Sequence, residues 1–596
     1  NENSTKITGH NLFGNVNLNY QITPELSAAW QVGGNYRIEN IKSYGAIVNY
    51  LDNSPQDLAS TNPVVGGVTE RRIERSEFDT FFNLNYNKKL SDKFNLNALV
   101  GFNYNQQEAN SLFASITGLD VPNFYEITNS PNRPTVSQAN QIKKTFGFYA
   151  QAELAFDSKY FLTLTARNDK NSTLPVDNNS YFYPGASVSA LLIDNSNTFL
   201  KLRAGMAQVG RGTDPYLTES SLVVGSAAAY NGTIIAPLGG VNYYELGGIL
   251  GNSDLKPEMT TESEVGLEGN LFGNRVTFDV SLYHRKTTDL IVLVPLHPST
   301  GYGSQSQNIG DIVNKGIELT LGFTPIKTQD FSWNLNYTFT KNDNEVTKVE
   351  GNTRIPIISS GYGITMQAEQ GRPVNSFYGR VPLTNDAGQY IVNPDTGYYV
   401  VSDEDRYLGN GQRDFVMGLQ NTFKYKNISL NFAFDWKQGG EMYSYTKRLS
   451  HFVGNGIETT YNDRNTFIIP NSVIANGDGT FSENTTPITT ANITNYWGNT
   501  SNNPGIERGH LIDKTFVRLR DLNLTYAFSP KVVEQLGLTK LSIGLYGKNL
   551  FMWTPDDNPY VDPETTTYGN GLQSELGEFG TNPSQRAYGA TVKLSF

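Results

Sequence analysis

The sequence predicts an all-β protein, a transmembrane antiparallel β-barrel, and three observations carry that prediction. Apolar and polar side chains alternate over stretches of about ten residues or more, the length a tilted strand needs to cross a bilayer. The gaps between these stretches are short and long in turn. The composition is one of strands and turns: 56 Gly, 34 Tyr and 32 Phe, with only 17% charged residues.

Composition also sets bounds on function. The hydrophobic fraction is 38%, below the roughly 45 to 50% of soluble domains, and one texture runs through all 596 residues with no interdomain linker. A single architecture over residues 1–596 is therefore expected. With no cysteine, no disulfide, thiolate metal site or cysteine nucleophile is available. A net charge of −11 gives no basic footprint, so nucleic acid is not an expected partner. No apolar run approaches the roughly 18 residues of a membrane helix; Leu290 to Leu296 is the most apolar window, and the polar first ten residues are not a signal peptide.

Four stretches show the alternation. In one, Ile428, Leu430, Phe432, Phe434 and Trp436 oppose Ser429, Asn431, Ala433, Asp435 and Lys437. Trp333, Leu335, Tyr337 and Phe339 oppose Asn334, Asn336, Thr338 and Thr340, and Val276, Phe278, Val280 and Leu282 oppose Thr277, Asp279, Ser281 and Tyr283. Phe148, Ala150, Ala152, Leu154 and Phe156 stand against Tyr149, Gln151, Glu153 and Ala155. A soluble sandwich alternates in the same way, but its strands average about 5 to 6 residues. Length and number together favour strands with one face in lipid and the other in a polar lumen.

In chain order, strands are expected near 11–21, 26–41, 72–88, 93–107, 142–156, 159–168, 181–193, 198–209, 259–271, 275–292, 312–324, 331–344, 412–425, 427–437, 514–527, 539–550 and 586–596, seventeen in all. Short turns (23–26, 90–93, 157–159, 271–274) alternate with long insertions (108–141, 210–258, 345–411, 438–513). That is the division between periplasmic turns and extracellular loops. Bacterial single-chain barrels have an even number of strands and begin in the periplasm. An odd count whose first strand descends into a short turn leads us to expect that Asn1 lies in an extracellular loop, with earlier strands upstream.

Several stretches together resemble the SusC/RagA-like TonB-dependent transporters of Bacteroidetes outer membranes. They are Arg167–Pro175 (RNDKNSTLP), Tyr181–Ala190 (YFYPGASVSA), Asp254–Glu268 (DLKPEMTTESEVGLE), Asn314–Leu319 (NKGIEL), Phe516–Tyr526 (FVRLRDLNLTY), Gly547–Thr554 (GKNLFMWT) and Asp562–Thr565 (DPET). The resemblance implies a barrel of twenty-two strands around a plug, so that about seventeen strands are present here. The plug, the first strands and the TonB-contact segment would lie outside this sequence. It also implies active import, driven through TonB, of an oligomeric glycan or peptide, with a SusD-like surface lipoprotein as a lid. The rival reading is a passive porin or a structural barrel subunit of an envelope complex.

Candidate sites are few. Asp395, Asp403 and Asp405 could offer oxygen ligands to calcium, but the Gly spacing of a calcium loop is broken and a solvated acidic loop is expected. Asn476–Gly479 is expected to be a plain turn. The five histidines, His10, His284, His297, His451 and His510, show no metal-binding spacing, and no G-x-S-x-G elbow occurs; no catalysis and no resident cofactor are expected. Aromatic and amide residues gather in Gly239–Leu246, Gln438–Arg448, Ile493–Asn503 and Pro555–Pro563. Any one of these aromatics is expected to pack the loops, and the set is expected to form a surface for substrate and partner. The ending, RAYGATVKLSF, is similar to the C-terminal assembly signal of outer-membrane barrels. Tyr588, Val592, Leu594 and Phe596 are expected to face lipid, and Thr591, Lys593 and Ser595 the lumen.

Overall fold

The computed structural model describes residues 3–59, 64–224, 228–229, 232–233, 244–352, 354–498 and 503–596. Its main sheet holds eighteen strands, one of them only the two residues Ile249–Leu250. The other seventeen match the expected number. They are β1 Ser4–Gln21, β2 Leu26–Val48, β3 Val64–Lys89, β4 Phe94–Thr117, β5 Thr135–Phe156, β6 Tyr160–Asn171, β7 Ser180–Asp194, β8 Phe199–Arg211, β9 Glu258–Leu271, β10 Val276–Pro295, β11 Ser304–Lys327, β12 Phe331–Val349, β13 Phe415–Tyr425, β14 Ile428–Gln438, β15 Phe516–Ala527, β16 Lys540–Trp553 and β17 Ala587–Ser595. The chain divides into two compact units: Asn1–Val188, Ala207–Met259 and Ile291–Asn308 in the first; Ser189–Met206, Thr260–Leu290 and Ile309–Phe596 in the second.

In the first unit β1 to β6 form an antiparallel meander, each strand paired with the next. The register lines up Leu18, Trp30, Phe82, Phe102 and Phe148 across five strands. Phe82 and Phe102 stack at 5.9 Å, and Leu18, Trp30 and Phe148 are exposed. The other face is polar and internally bonded. Arg167 donates to Asp169 (2.8 Å) and Asn103 (2.7 Å), and Asn105 donates to Asp79 (2.6 Å). Strand ends at the short turns fall within a residue of expectation, but the opposite ends run further. Strands begin at Ser4, Val64 and Thr135 rather than 11, 72 and 142, and end at Val48 and Thr117 rather than 41 and 107. These extensions mix polar and apolar side chains on both faces, with Val68 and Ile116 in a buried cluster of their own, so no steady alternation marks them. Directly opposed pairs such as Lys42 and Glu70, 2.9 Å apart, help hold them.

Three of the quoted motifs meet in this unit. Leu174, Tyr181 and Leu255 form one buried cluster, drawing together the segments RNDKNSTLP, YFYPG and DLKPE. Gly210 lies under the Tyr181 ring, where a Cβ would stand 2.4 Å from it.

In the second unit β11 to β17 again pair in succession. Tyr588, Val592 and Leu594 lie opposite Gly547, Ile543 and Leu541, on the exposed apolar face that includes Leu545, with Thr591 and Lys593 opposite Gly544 and Ser542 on the other. Phe596 is exposed at the end. The alternation expected for 276–283 holds: Arg203 reaches Asp279 (2.8 Å) and Ser281 (2.5 Å) while Leu282 is exposed. The short turn between β9 and β10 uses left-handed residues, as many tight hairpins do. Phe272, Gly273 and Asn274 have φ of 56°, 62° and 65° between β9 and β10.

Gly316 of the segment NKGIEL sits beneath Tyr283, whose hydroxyl donates to Asn342 (2.9 Å); a Cβ there would lie 2.4 Å from the ring. Gly316→Val is expected to cost about 1 to 3 kcal/mol by overpacking and to lower the yield of folded, heat-modifiable barrel on unheated gels. Tyr283→Ala in the same chain should recover much of that yield, and no recovery would refute the packing account.

Candidate functional site

The loops of the second unit fold into a crown with its own sheets and cores, where the sequence alone marked long insertions. Residues 345–411 carry the four-stranded sheet Ile355–Ser359, Thr365–Ala368, Ser376–Gly379 and Arg406–Asn410. Glu441–Ser444 pairs with Leu511–Asp513 and with Gly577–Glu578, joining two loops that are far apart in sequence. Ile364, Met366, Phe377, Leu408, Tyr443, Leu511 and Leu576 form the core between them. The helix Tyr445–Phe452 starts at the cap Ser444. The fully buried Glu578 carboxylate sits at that start and accepts from Ser444 Oγ (2.7 Å) and the Thr446 N–H (2.8 Å), as a helix N-terminus favours.

Below the crown a charged cluster ties the segment FVRLRD to DPET. Arg520 is the extra residue of a bulge between β14 and β15, opposite Ala433 and Phe434, and a bulge re-aims a side chain. Its guanidinium reaches Asp435 (2.6 Å) and Glu564 (2.9 Å). Arg518 pairs with Asp562 and with Glu564 (3.0 Å), and Lys437 also binds Glu564 (2.6 Å). Burial pushes the Glu564 carboxyl up, but hydrogen bonds from Lys437 and Arg520 hold it below the usual carboxylate range. The two motifs thus form one ion network that pins the loop 554–586 to the sheet.

Three of the aromatic segments singled out above meet in the crown; of the fourth, Tyr244–Leu246 pairs with Leu222–Val224 in the first unit, and residues 239–243 and 499–502 lie outside the described residues. Tyr445 stacks on Phe579 at 3.9 Å, and the Arg448 guanidinium lies 4.0 Å above the Tyr362 ring. Tyr496 joins a second core with Val392, Tyr398, Ile469 and Ile488. A cavity of about 320 Å³ opens beside this core, lined by His451, Phe452, Tyr461, Arg464, Phe467 and Trp497 among others.

Two of the five histidines, which no spacing linked, come together in the fold. His451 and His510 are both buried, with Nδ1 of one 3.3 Å from Nε2 of the other. Glu507 lies 3.0 Å from His510 and Glu458 3.0 Å from His451. No spacing signal could have found this set, since 59 residues separate the two rings. Burial pushes Glu458 up, but hydrogen bonds from Tyr560, the backbone and His451 bring it down to about 2. Burial lowers His451, against the raising effect of Glu458.

The calcium candidates are not gathered. Asp395 lies in an Asx turn closed by Asn393 Oδ1 (2.8 Å to its N–H), Asp405 pairs with Arg380 (3.3 Å), and Asp403 is exposed. Among the described residues no group of three or more His, Asp or Glu side chains is placed to hold a metal. Asn476–Gly479 is a turn, with Asp478 accepting from the Thr480 N–H (2.9 Å).

Comparison with known proteins decides the family. Residues 1–361 match the model of the TonB dependent receptor-like β-barrel. The chain belongs to that family. Members of this TonB-dependent receptor family are outer-membrane β-barrels, which fits the exposed apolar face and the polar face described above. The chain is 25% identical over 571 residues to TonB-dependent receptor P26 of Formosa agariphila, covering 89% of this chain and 54% of that protein. It is 28% identical over 309 residues to TonB-dependent receptor SusC of Bacteroides thetaiotaomicron, covering 48% of this chain and 30% of that one. The solved RagAB peptide transporter has the same fold, with a TM-score of 0.73 at 20% identity over 99% of this chain and 62% of that chain. This TonB-dependent receptor chain spans about half the length of its P26 relative.

Two outcomes follow for the crown and its anchor. Arg518→Met, which strips Asp562 of a buried partner, is expected to cost about 3 to 5 kcal/mol and to make the 554–586 loop protease-sensitive. Arg518→Met combined with Asp562→Leu should regain most of the loss. Glu458 has its carboxyl depressed in the fold, so its stabilisation is present above the ordinary value of 4.5 and lost as the pH falls through about 2. The stability difference between the unsubstituted chain and Glu458→Gln, measured by thermal unfolding, should shrink as the pH falls through that window.

Proposed function

We propose that this chain is the barrel part of an outer-membrane importer that takes up an oligomeric nutrient, glycan or peptide. Uptake would be driven through TonB by the inner-membrane proton gradient, with a SusD-like surface lipoprotein closing the crown as a lid. The observation that carries this reading is the family match over residues 1–361. Support comes from the relative named SusC and from the shared fold with a transporter named for peptides. The plug and TonB-contact segment belong to the proposal, as does the reading of residues 1–596 as one barrel domain. A calcium ion and an enzymatic step form no part of it. The crown supports the reading physically: rigid loops over a polar face present Tyr, Trp, Asn and Thr side chains suited to hydroxyl and amide groups of a cargo.

The C-terminal strand fits the same scheme. We propose that Tyr588, Val592, Leu594 and Phe596, exposed on one side of β17, are read by the barrel-insertion machinery.

The test is uptake by cells carrying or lacking the intact protein, with labelled oligosaccharides and oligopeptides as probes. Import should stop when the gene is deleted, when TonB is removed, or when the proton gradient is collapsed, and a lipoprotein should co-purify with the barrel. Uptake that persists at the same rate after uncoupling would establish a passive pore and overturn the proposal.

A further inference from the structure

The buried histidine pair carries a proton count of its own. Glu507 Oε2 lies 3.0 Å from His510 Nδ1, His510 Nε2 3.3 Å from His451 Nδ1, and His451 Nε2 3.0 Å from Glu458 Oε2. Each of these three contacts joins two atoms that bear lone pairs, so each needs one hydrogen between them. Two neutral imidazoles supply only two N–H groups. The carboxylates bring none. Glu458 Oε2 also accepts from Tyr560 (2.5 Å) and is ionised down to about pH 2, and Glu507 Oε1 accepts from Arg448 Nε (3.2 Å). A missing hydrogen would leave two lone pairs facing each other in a site that is 1% exposed at His510 and 5% at His451, an unpaired arrangement that burial makes costly.

We infer that His510 is a buried imidazolium, donating Nδ1–H to Glu507 and Nε2–H to a neutral His451, which in turn donates Nε2–H to Glu458. The charge belongs on His510 because of what surrounds each ring. His510 faces Glu507, itself 1% exposed. His451 shares its carboxylate with a cation, since Lys447 Nζ lies 3.7 Å from Glu458 Oε1, and Arg464 lines the cavity beside it. Among the described residues, the groups that face the pair are Lys447 and Arg448 from the helix 445–452, Glu458 from 457–464, Trp497 from 493–498, Glu507 from 504–510 and Tyr560 from the loop 554–586.

The proton therefore acts as a structural ion for the crown. With it, the relay runs unbroken from Glu507 to Tyr560 and ties three loop segments to the helix; without it, one contact becomes repulsive. Only the protonated form completes the relay, so folding binds that proton, and the stabilisation is lost as the pH rises past its release. This reading does not depend on what the barrel imports.

The test uses ¹⁵N-histidine NMR of the whole chain in detergent. The exposed rings are removed as His10→Gln, His284→Gln and His297→Asn, the last keeping an acceptor at the cap of 298–300, which leaves the pair untouched. At a pH about one unit above the ordinary histidine value of about 6.5, one ring should show both nitrogens protonated and the other a bare Nδ1. Two singly protonated rings at that pH would overturn the assignment. On the unsubstituted chain, hydrogen exchange in 445–452 and 504–510, corrected for the chemical rate, should lose protection about tenfold to a hundredfold as that proton leaves. Unchanged protection through its release would refute the structural role.

Discussion

Every backbone N–H and C=O that meets lipid must find its partner within the sheet, because the hydrocarbon offers none. The rest of the molecule follows from that constraint. Consecutive strands pair from β1 to β6 and from β11 to β17, and pairing in pleated strands sends successive side chains to opposite faces. One face can then be wholly apolar only if the other takes all the polar residues. That second face neutralises itself: Arg203 with Asp279 and Glu264, Arg167 with Asp169, Arg520 with Asp435 and Glu564. Even an amide on the apolar side is accounted for. Asn421, opposite Leu335 and Phe432 and 5% exposed, accepts from Trp333 Nε1 at 3.0 Å.

The sheet was legible in the sequence to the extent that lipid imposes period two. Seventeen long strands, their short turns and the inward or outward sense of residues such as Leu282, Asp435 and Val592 could be read directly. The reading failed where neither face is uniformly apolar. In β3 the run Thr69, Glu70, Arg71, Arg72 has no apolar face, so alternation fades although the ladder to β2 and β4 continues. Position in the ladder, rather than hydropathy, decides those residues.

The crown was less legible, and the reason is sequence distance. The motifs FVRLRD and DPET stood out as words, but only the fold shows that Arg518 and Asp562, 44 residues apart, are partners. The histidine pair left no usable mark, because its groups come from three segments, His451 from 445–452, Glu458 from 457–464 and Glu507 with His510 from 504–510, and no spacing links the two rings. The aromatic segments were found, since composition alone betrays them. Their division between core, as for Tyr443 and Tyr496, and exposed surface, as for Tyr244, needed the packing.

The glycines beneath tyrosine rings bear on how such a sheet is assembled without error. Gly101 lies under Tyr149, Gly316 under Tyr283 and Gly589 under Tyr546, each where a Cβ would come within 3 Å of the ring. A strand slipped by one residue turns its faces over, which lipid rejects; a strand slipped by two keeps its faces and would pass that check. Such a slip in β17 would bring Ala587 or Thr591 to the place of Gly589, beneath the ring of Tyr546. The tyrosine thus acts as a steric key for the one register that hydrophobicity cannot distinguish from its even-numbered neighbours, and the last strand carries its own copy of the lock.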